Sequence, residues 1–425
     1  MRRLTPALMN LVARWVARFA PSMRRILQLG WYFVTFRFGE IPFRRIARRI
    51  LGIRNVPSWI RGDGRPLALI VDMFYPTPDR DSGSIDAVNL VNALHRIGYR
   101  IVFVAFGGER DHFFTTLKPY LHLTILSRVH NGGVFMESIR RACPSAKVIF
   151  NTVDLHHLRE ERTARLTNDR KALDLAAKTK ARELALVRLA DATIVVSYEE
   201  HWLLSSLLPD STVFTVPLAR AVARNVNDFD ERKNIAFVGG YFHAPNVDGL
   251  RHFLDDIWPL VRKRIPEAEF IAMGASMPEE LAKRRDKGLV VRGYVEDLAS
   301  ELSTIRVMVA PLRVGAGAKG KVASALAHGV PCVVSPIAAE GMNVHDRQTV
   351  LLAHSPSEFA ERIEELYRDA DLWRSISQAG LRLMSGPHSL EANDIRIANI
   401  LASIGAPVPN KTLLTAHPAD ATSVK

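Results

Sequence analysis

From Pro66 onward the chain alternates short apolar runs with amphipathic stretches of helical period. The runs Leu67–Val71, Arg100–Phe106, Lys147–Asn151, Ala192–Ser197 and Val213–Val216 read as strands. A polar stretch from Asn225 to Asn234 interrupts the rhythm. It then restarts with Ile235–Val238, Ala268–Met273, Leu289–Arg292, Val307–Pro311, Pro331–Ser335 and Thr349–Ala353. Strands buried on both faces read as continuous apolar runs, and helices between them imply parallel sheets. The pattern therefore predicts two similar α/β halves, residues 66–224 and 225–400. Residues 401–425 follow as a tail, and its polar end from Thr412 has no period and is expected to be disordered.

Composition adds one asymmetry. The chain has 425 residues and a formal charge of +13. Residues 1–65 hold fourteen Arg against Glu40 and Asp63, so +12 of that charge lies in this extension. Phe43, Ile46, Ala47 and Ile50 recur at helical spacing there, with Arg44, Arg45, Arg48 and Arg49 on the other side. Trp15, Phe19, Trp31, Tyr32 and Phe33 add aromatics suited to an interface. An amphipathic segment of this kind fits an anionic membrane surface. An organellar transit peptide shares the composition, whereas nucleic acid is not expected as a partner because no binding module accompanies the arginines. The longest uncharged run in this extension, Ile26 to Phe36, is too short to span a bilayer, and no small-residue cleavage site follows it. Cys143 and Cys332 make no disulfide framework. Together these features predict a cytoplasmic protein, peripheral on the cytoplasmic membrane face.

The candidate chemistry is concentrated after Arg313. Gly315-Ala316-Gly317-Ala318-Lys319-Gly320-Lys321-Val322 leads into a helix of small residues that ends at Gly329. Val330-Pro331-Cys332-Val333-Val334-Ser335 follows as a buried strand, and Glu340-Gly341 closes the segment. Glycines let backbone approach a ligand, and two lysines at a helix start make an anion site whose usual occupant is phosphate. Earlier in this half, Gly239 and Gly240 follow a strand, and Arg292-Gly293-Tyr294-Val295 follows another. In the first half, Asp79-Arg80-Asp81-Ser82-Gly83-Ser84 opens a helix. Asp81 or Ser82 can cap that helix, and the loop can also face a cleft. Asp154, His156 and Arg159 lie just past the strand ending at Asn151. An imidazole there can orient an acceptor proton, or make only a structural hydrogen bond. A nicotinamide fingerprint, a Gly-x-Ser-x-Gly elbow and a His/Cys metal cluster are all missing from the sequence.

The 315–341 segment resembles the donor-binding segment of group 1 (family 4) glycosyltransferases. That family shows Gly-x-Gly-x-Lys-x-Lys-Val, a helix, Gly-x-Pro-Val-Val and Glu-Gly. Pro-Thr-Pro-Asp-x-Asp-Ser-Gly-Ser and Asp-x-His resemble a bacterial polysaccharide branch of it. The resemblance implies the GT-B fold, two Rossmann-like domains facing across a cleft, with the acceptor side first and the nucleotide-sugar side second. It implies a retaining transferase using a nucleotide-diphosphate sugar, with no cofactor or metal, and a glycan or lipid-linked acceptor. It assigns catalysis to His156, chosen over His157 by the motif's spacing, and to Asp154. The donor would be held by Gly239, Gly240, Gly317, Lys319, Lys321, Ser324, Glu340 and Tyr294. Asp81, Ser82, Gly83, Ser84 and Arg159 would form the acceptor-side loop. One departure stands out: the family's paired glutamates fall on Ala316 and Ser324, so Glu340 is expected to take over the ribose or sugar hydroxyls. Loss of the pair also leaves open a degenerate, non-enzymatic glycan- or membrane-binding scaffold, and a nucleotide-sugar epimerase is a third reading.

Overall fold

A computed structural model describes residues 64–78, 81–105 and 117–415. The basic extension lies outside the described residues, and with it the expected membrane-binding helix. In the first half, β1 (Leu67–Asp72), β2 (Arg100–Ala105), β3 (Leu121–Ser127), β4 (Lys147–Asn151), β5 (Ala192–Val195) and β6 (Val213–Thr215) form one sheet. Its order is β2-β1-β3-β4-β5-β6, with every pairing parallel. In the second half the strands are β7 (Asn234–Val238), β8 (Phe270–Met273), β9 (Leu289–Gly293), β10 (Ile305–Ala310), β11 (Cys332–Val334) and β12 (Leu351–Leu352). They pair in parallel in the order β12-β11-β10-β7-β8-β9. Both sheets therefore reverse their winding once, between β1 and β3 and between β7 and β10. The strand ends at such switch points open a crevice where ligands bind.

The buried runs explain the sheets. All of β1 is buried, as are β5, β8 and β11. Among the described residues, β3 is a strand that the apolar pattern does not predict. His122 and Thr124 break its run, yet Thr124 is fully buried in the sheet centre. The helices that carry the site are α1 (Ser82–Ile97), α2 (His156–Leu166), α3 (Arg170–Leu189), α4 (Tyr198–Leu207), α5 (Ala244–His252) and α6 (Gly320–Ala327). Five residues of α6, from Val322 to Ala327, are buried, and Gly329 ends its turn at φ +65.

The C-terminal end corrects the expected boundaries. The helix α7 (Leu390–Ser403) leaves the second half and packs on α1 of the first. Ile397, Ala398, Ile400, Leu401 and Ala406 join the core formed by Val91, Leu94, Ile97 and Tyr99. Arg96 donates through Nε and Nη2 to Asp394 at 2.5 and 2.7 Å. Nor are residues 401–415 a disordered tail. Tyr99 Oη donates to the Pro407 carbonyl at 2.5 Å, the Asn410 amide donates to the Ile97 carbonyl at 2.9 Å, and Thr412–Thr415 is helical. Polar composition misled here because the segment is held by backbone partners on α1. The described residues belong to one compact unit. Among them no helix is long and apolar enough to cross a membrane.

Candidate functional site

A cleft of about 1370 Å³ runs between the ends of the two sheets. From the first half it is lined by Asp81, Ser82, Gly83, Asp154 and Arg159, with Thr163 and Leu175 from α2 and α3. From the second half it is lined by Gly239, Gly240, Tyr294, Lys319, Lys321 and Ser324. The remaining expected residues, Ser84, His156, Gly317 and Glu340, do not line it.

In the second half the chain leaves β10 through a loop that ends at Lys319, the N-cap of α6. Lys319 is 8% exposed, and its Nζ donates to the carbonyls of Gly317 at 2.5 Å and Ala316 at 3.2 Å. Lys321 Nζ donates to Asn246 Oδ1 at 2.5 Å and sits 4.2 Å over the Phe237 ring. Among the described residues neither ammonium forms an ion pair. Burial pulls Lys319 down to about 8, against the pull of Glu340, Glu200 and Asp154. Burial and then the charge of Lys319 bring Lys321 down to about 7. A buried and a half-buried cation resting on neutral acceptors are unfavourable alone, and an anion between them would relieve both.

The glycine loop after β7 is more fully bonded than expected. The Gly239 amide donates to the Met273 carbonyl at 3.0 Å, so it is not free for a phosphate. The Gly240 carbonyl accepts from Asn246 Nδ2 at 2.8 Å, which sets the amide that in turn holds Lys321. Phe242 packs against Gly240 and is 57% exposed on the cleft wall.

In the first half, the chain turns out of β4 at Val153, whose φ of +66 is costly for a β-branched residue. That turn delivers Asp154 to the cleft. Arg159 pairs with one oxygen of Asp154, and His156 Nδ1 lies 3.0 Å from the other. Burial alone would raise the Asp154 carboxyl; the Arg159 charge and the His156 ring outweigh it and hold the group well below the usual carboxylate range. For His156 burial pulls downward, but the Asp154 hydrogen bond and charge outweigh it and raise the imidazole. His156 is 6% exposed and stands behind Asp154 rather than on the wall. The α2 N-terminus is held from α3: Glu183 accepts the His156 and His157 amides, each at 3.0 Å, and lies 2.6 Å from His157 Nδ1. His157 is thus part of a helix anchor. Glu200, pushed up to about 8 by burial, accepts the Leu155 amide at 2.7 Å.

The α1 loop has both functions that the sequence left open. Asp81 caps α1 by accepting the Ser84 amide at 2.8 Å and the Ser84 hydroxyl at 2.6 Å, and it also lines the cleft. Ser82 Oγ accepts from Arg220 Nη2 at 2.5 Å.

The glycines of the 315–341 segment serve a purpose that the sequence did not reveal. A Cβ on Gly317 would lie 3.0 Å from Asp154 Cβ, on Gly320 1.6 Å from Ser82 Oγ, and on Gly341 2.6 Å from Ser197 Cβ. Each is where the second half meets the first. Glu340 is likewise turned across this seam: Arg162 on α2 donates to its two oxygens at 2.7 and 2.9 Å. Its carboxylate is therefore already paired, and Glu340 is not among the residues that line the cleft. Ser324, in place of the family's second glutamate, does line the cleft. Sequence reasoning missed Arg162, Arg220, Asn246 and Glu183. Arg162 carried a signal, since it follows Arg159 by one helical turn; Arg220 carried none.

Residues 232–369 match the sequence profile of a family described as Glycosyl transferases group 1. No curated protein matches the chain by sequence. Among solved structures, the sucrose-phosphate synthase of Thermosynechococcus elongatus superposes with a TM-score of 0.64 at 15% identity, covering 80% of this chain and 99% of that one. Anabaena HepE in complex with UDP-glucose gives 0.59 at 10% identity, covering 80% and 100%. A variant of S. aureus TarM in complex with fondaparinux, alpha-GlcNAc-glycerol and UDP gives 0.53 at 13% identity, covering 65% and 55%. At such identities the likeness is one of fold.

Proposed function

We propose that this chain, which has the GT-B fold and whose residues 232–369 match the group 1 glycosyltransferase family, moves a sugar, with retention, from a nucleotide-diphosphate sugar to a glycan or lipid-linked acceptor. The observation that carries the donor reading is the pair of ammonium groups, Lys319 buried and Lys321 half-buried, held on neutral acceptors beside the cleft. When the bond between the anomeric carbon and the diphosphate breaks, negative charge grows on the departing phosphate. Cations already in place in a buried site stabilise that charge most in the transition state. Ser324 and Tyr294 are on the same wall, suited to ribose and base. Across the cleft Asp154 and Arg159 would orient the acceptor hydroxyl, with His156 fixing the Asp154 carboxylate from behind. Retention and a polysaccharide-type acceptor rest on the motif resemblance. Residues 1–65 would hold the enzyme on an anionic membrane surface, where a lipid-linked acceptor is available.

The test is product analysis. Full-length protein is incubated with UDP-, GDP- and dTDP-sugars, with and without an extract of lipid-linked and soluble glycans. We expect one donor to release its nucleoside diphosphate in step with sugar appearing on an acceptor. An isomerised free sugar nucleotide would mean an epimerase, and binding without any turnover would mean a scaffold.

A further inference from the structure

Arg162 is on the acceptor-side helix α2, but its guanidinium reaches the donor-side loop. It donates to the Gly315 carbonyl at 2.7 Å as well as to both oxygens of Glu340. Gly315 opens the loop that ends in Lys319, and Glu340 follows the strand behind it. The loop is tight at this point. Gly315 has φ +153, and a Cβ there would lie 3.2 Å from Lys319 Cε. Lys319 Nζ closes the same loop on the carbonyls of Ala316 and Gly317. A second crossing runs parallel to the first: Glu199 on α4 accepts the Gly341 amide at 3.1 Å. The phosphate loop is therefore pinned at its entrance and behind its exit strand by residues of the other half.

We propose that Arg162 is a positioning residue for the donor diphosphate, clamping the 315–319 loop in the shape that presents Lys319, so that the site is assembled only while the two halves are closed on each other. This rests on the nucleotide-sugar reading of the cleft. A guanidinium offers its donors in a rigid planar fork that spans both Glu340 oxygens and the Gly315 carbonyl, whereas an ammonium is a single-point donor that matches this geometry less well, so the clamp favours arginine. The alternative is an ordinary partly exposed ion pair, worth little and local in effect.

Two readouts on the full-length chain separate these. In the nucleotide-free protein, amide hydrogen exchange over residues 313–322 reports the loop directly. Arg162→Ala should speed exchange there by about tenfold while β10 and α2 keep their wild-type rates, and Arg162→Lys should recover only part. In titrations with UDP, Arg162→Ala should weaken binding by about tenfold, the loss of one charge-assisted bond at second hand. Unchanged exchange over 313–322 overturns the clamp. Faster exchange with undiminished UDP affinity overturns its role in donor positioning. If the wild type binds none of UDP, GDP and dTDP, the nucleotide-sugar reading has failed and with it the donor role, while exchange still decides the clamp itself. Should Arg162→Ala unfold, Glu340→Gln keeps the Gly315 bond, and a smaller acceleration confined to 313–322 is expected. No acceleration in that variant overturns the proposal.

Discussion

The two lysines decide what the proposed donor site can do, because among the described residues each ammonium rests on neutral acceptors and forms no ion pair. Lys321 titrates at about 7 and Lys319 at about 8 in the ligand-free chain. A diphosphate binds the protonated forms. Well below pH 7 both charges are present and binding takes up no protons; well above pH 8 the free site has lost them, and binding must recover them from solvent. Affinity for UDP should therefore fall as pH rises, by at least about tenfold between pH 7 and pH 9. Titrations across that range check it, and a flat profile would show that the lysines do not face the diphosphate. On the other wall, Asp154→Asn removes the charge shared by Arg159 and His156. Because Asp154 is proposed to orient the acceptor hydroxyl, we expect turnover at saturating donor to drop by about a hundredfold, the scale of a positioned acid or base. UDP affinity should change by less than about threefold, and kinetics beside titration separate the two. The sequence made Asp154, Lys319 and Lys321 legible because a strand end or a helix start places them locally. Arg162 and Glu340, far apart in the chain, meet only because two sheets face each other, and no local pattern encodes that.

At the scale of elements, the strands were legible because parallel strands exclude water from both faces. β3 was not, since Thr124 is buried in spite of its hydroxyl and His122 interrupts the run. The short helix α6 shows how one residue joins local and distant demands. Gly320 opens it, and alanine there would favour the helix by up to about 1 kcal/mol. Yet its Cβ would fall 1.6 Å from Ser82 Oγ, which is itself held by Arg220. Gly320→Ala should leave the melting temperature within a few degrees of wild type and cut turnover by about tenfold or more, because the halves cannot close. Calorimetry and initial rates measure both. Wild-type turnover in this variant would mean that the seam opens during the reaction.

At the scale of the molecule, α7 ties the chain's end to its beginning. It buries Ile397, Ile400 and Leu401 in the first half's core, and Arg96 binds Asp394 across the junction. The described fold starts at β1 with its own core and needs nothing earlier to complete its sheet. Deleting residues 1–63 should thus leave thermal unfolding unchanged. It should also abolish co-sedimentation with anionic vesicles at low salt, given about 1 kcal/mol for each basic residue near such a surface. Retained vesicle binding by the shortened chain would place the membrane contact elsewhere.

The central claim is that Lys319 and Lys321 hold the diphosphate of a sugar nucleotide, and calorimetric titration of UDP, GDP and dTDP into the wild type and the Lys319→Ala variant tests it most directly. One nucleotide should bind the wild type, and Lys319→Ala should bind it more weakly by about 1.5–3 kcal/mol, the value of a charged hydrogen bond, with the fold unchanged by circular dichroism. Equal affinity in a folded variant, or no binding of any of the three nucleotides to the wild type, would contradict it.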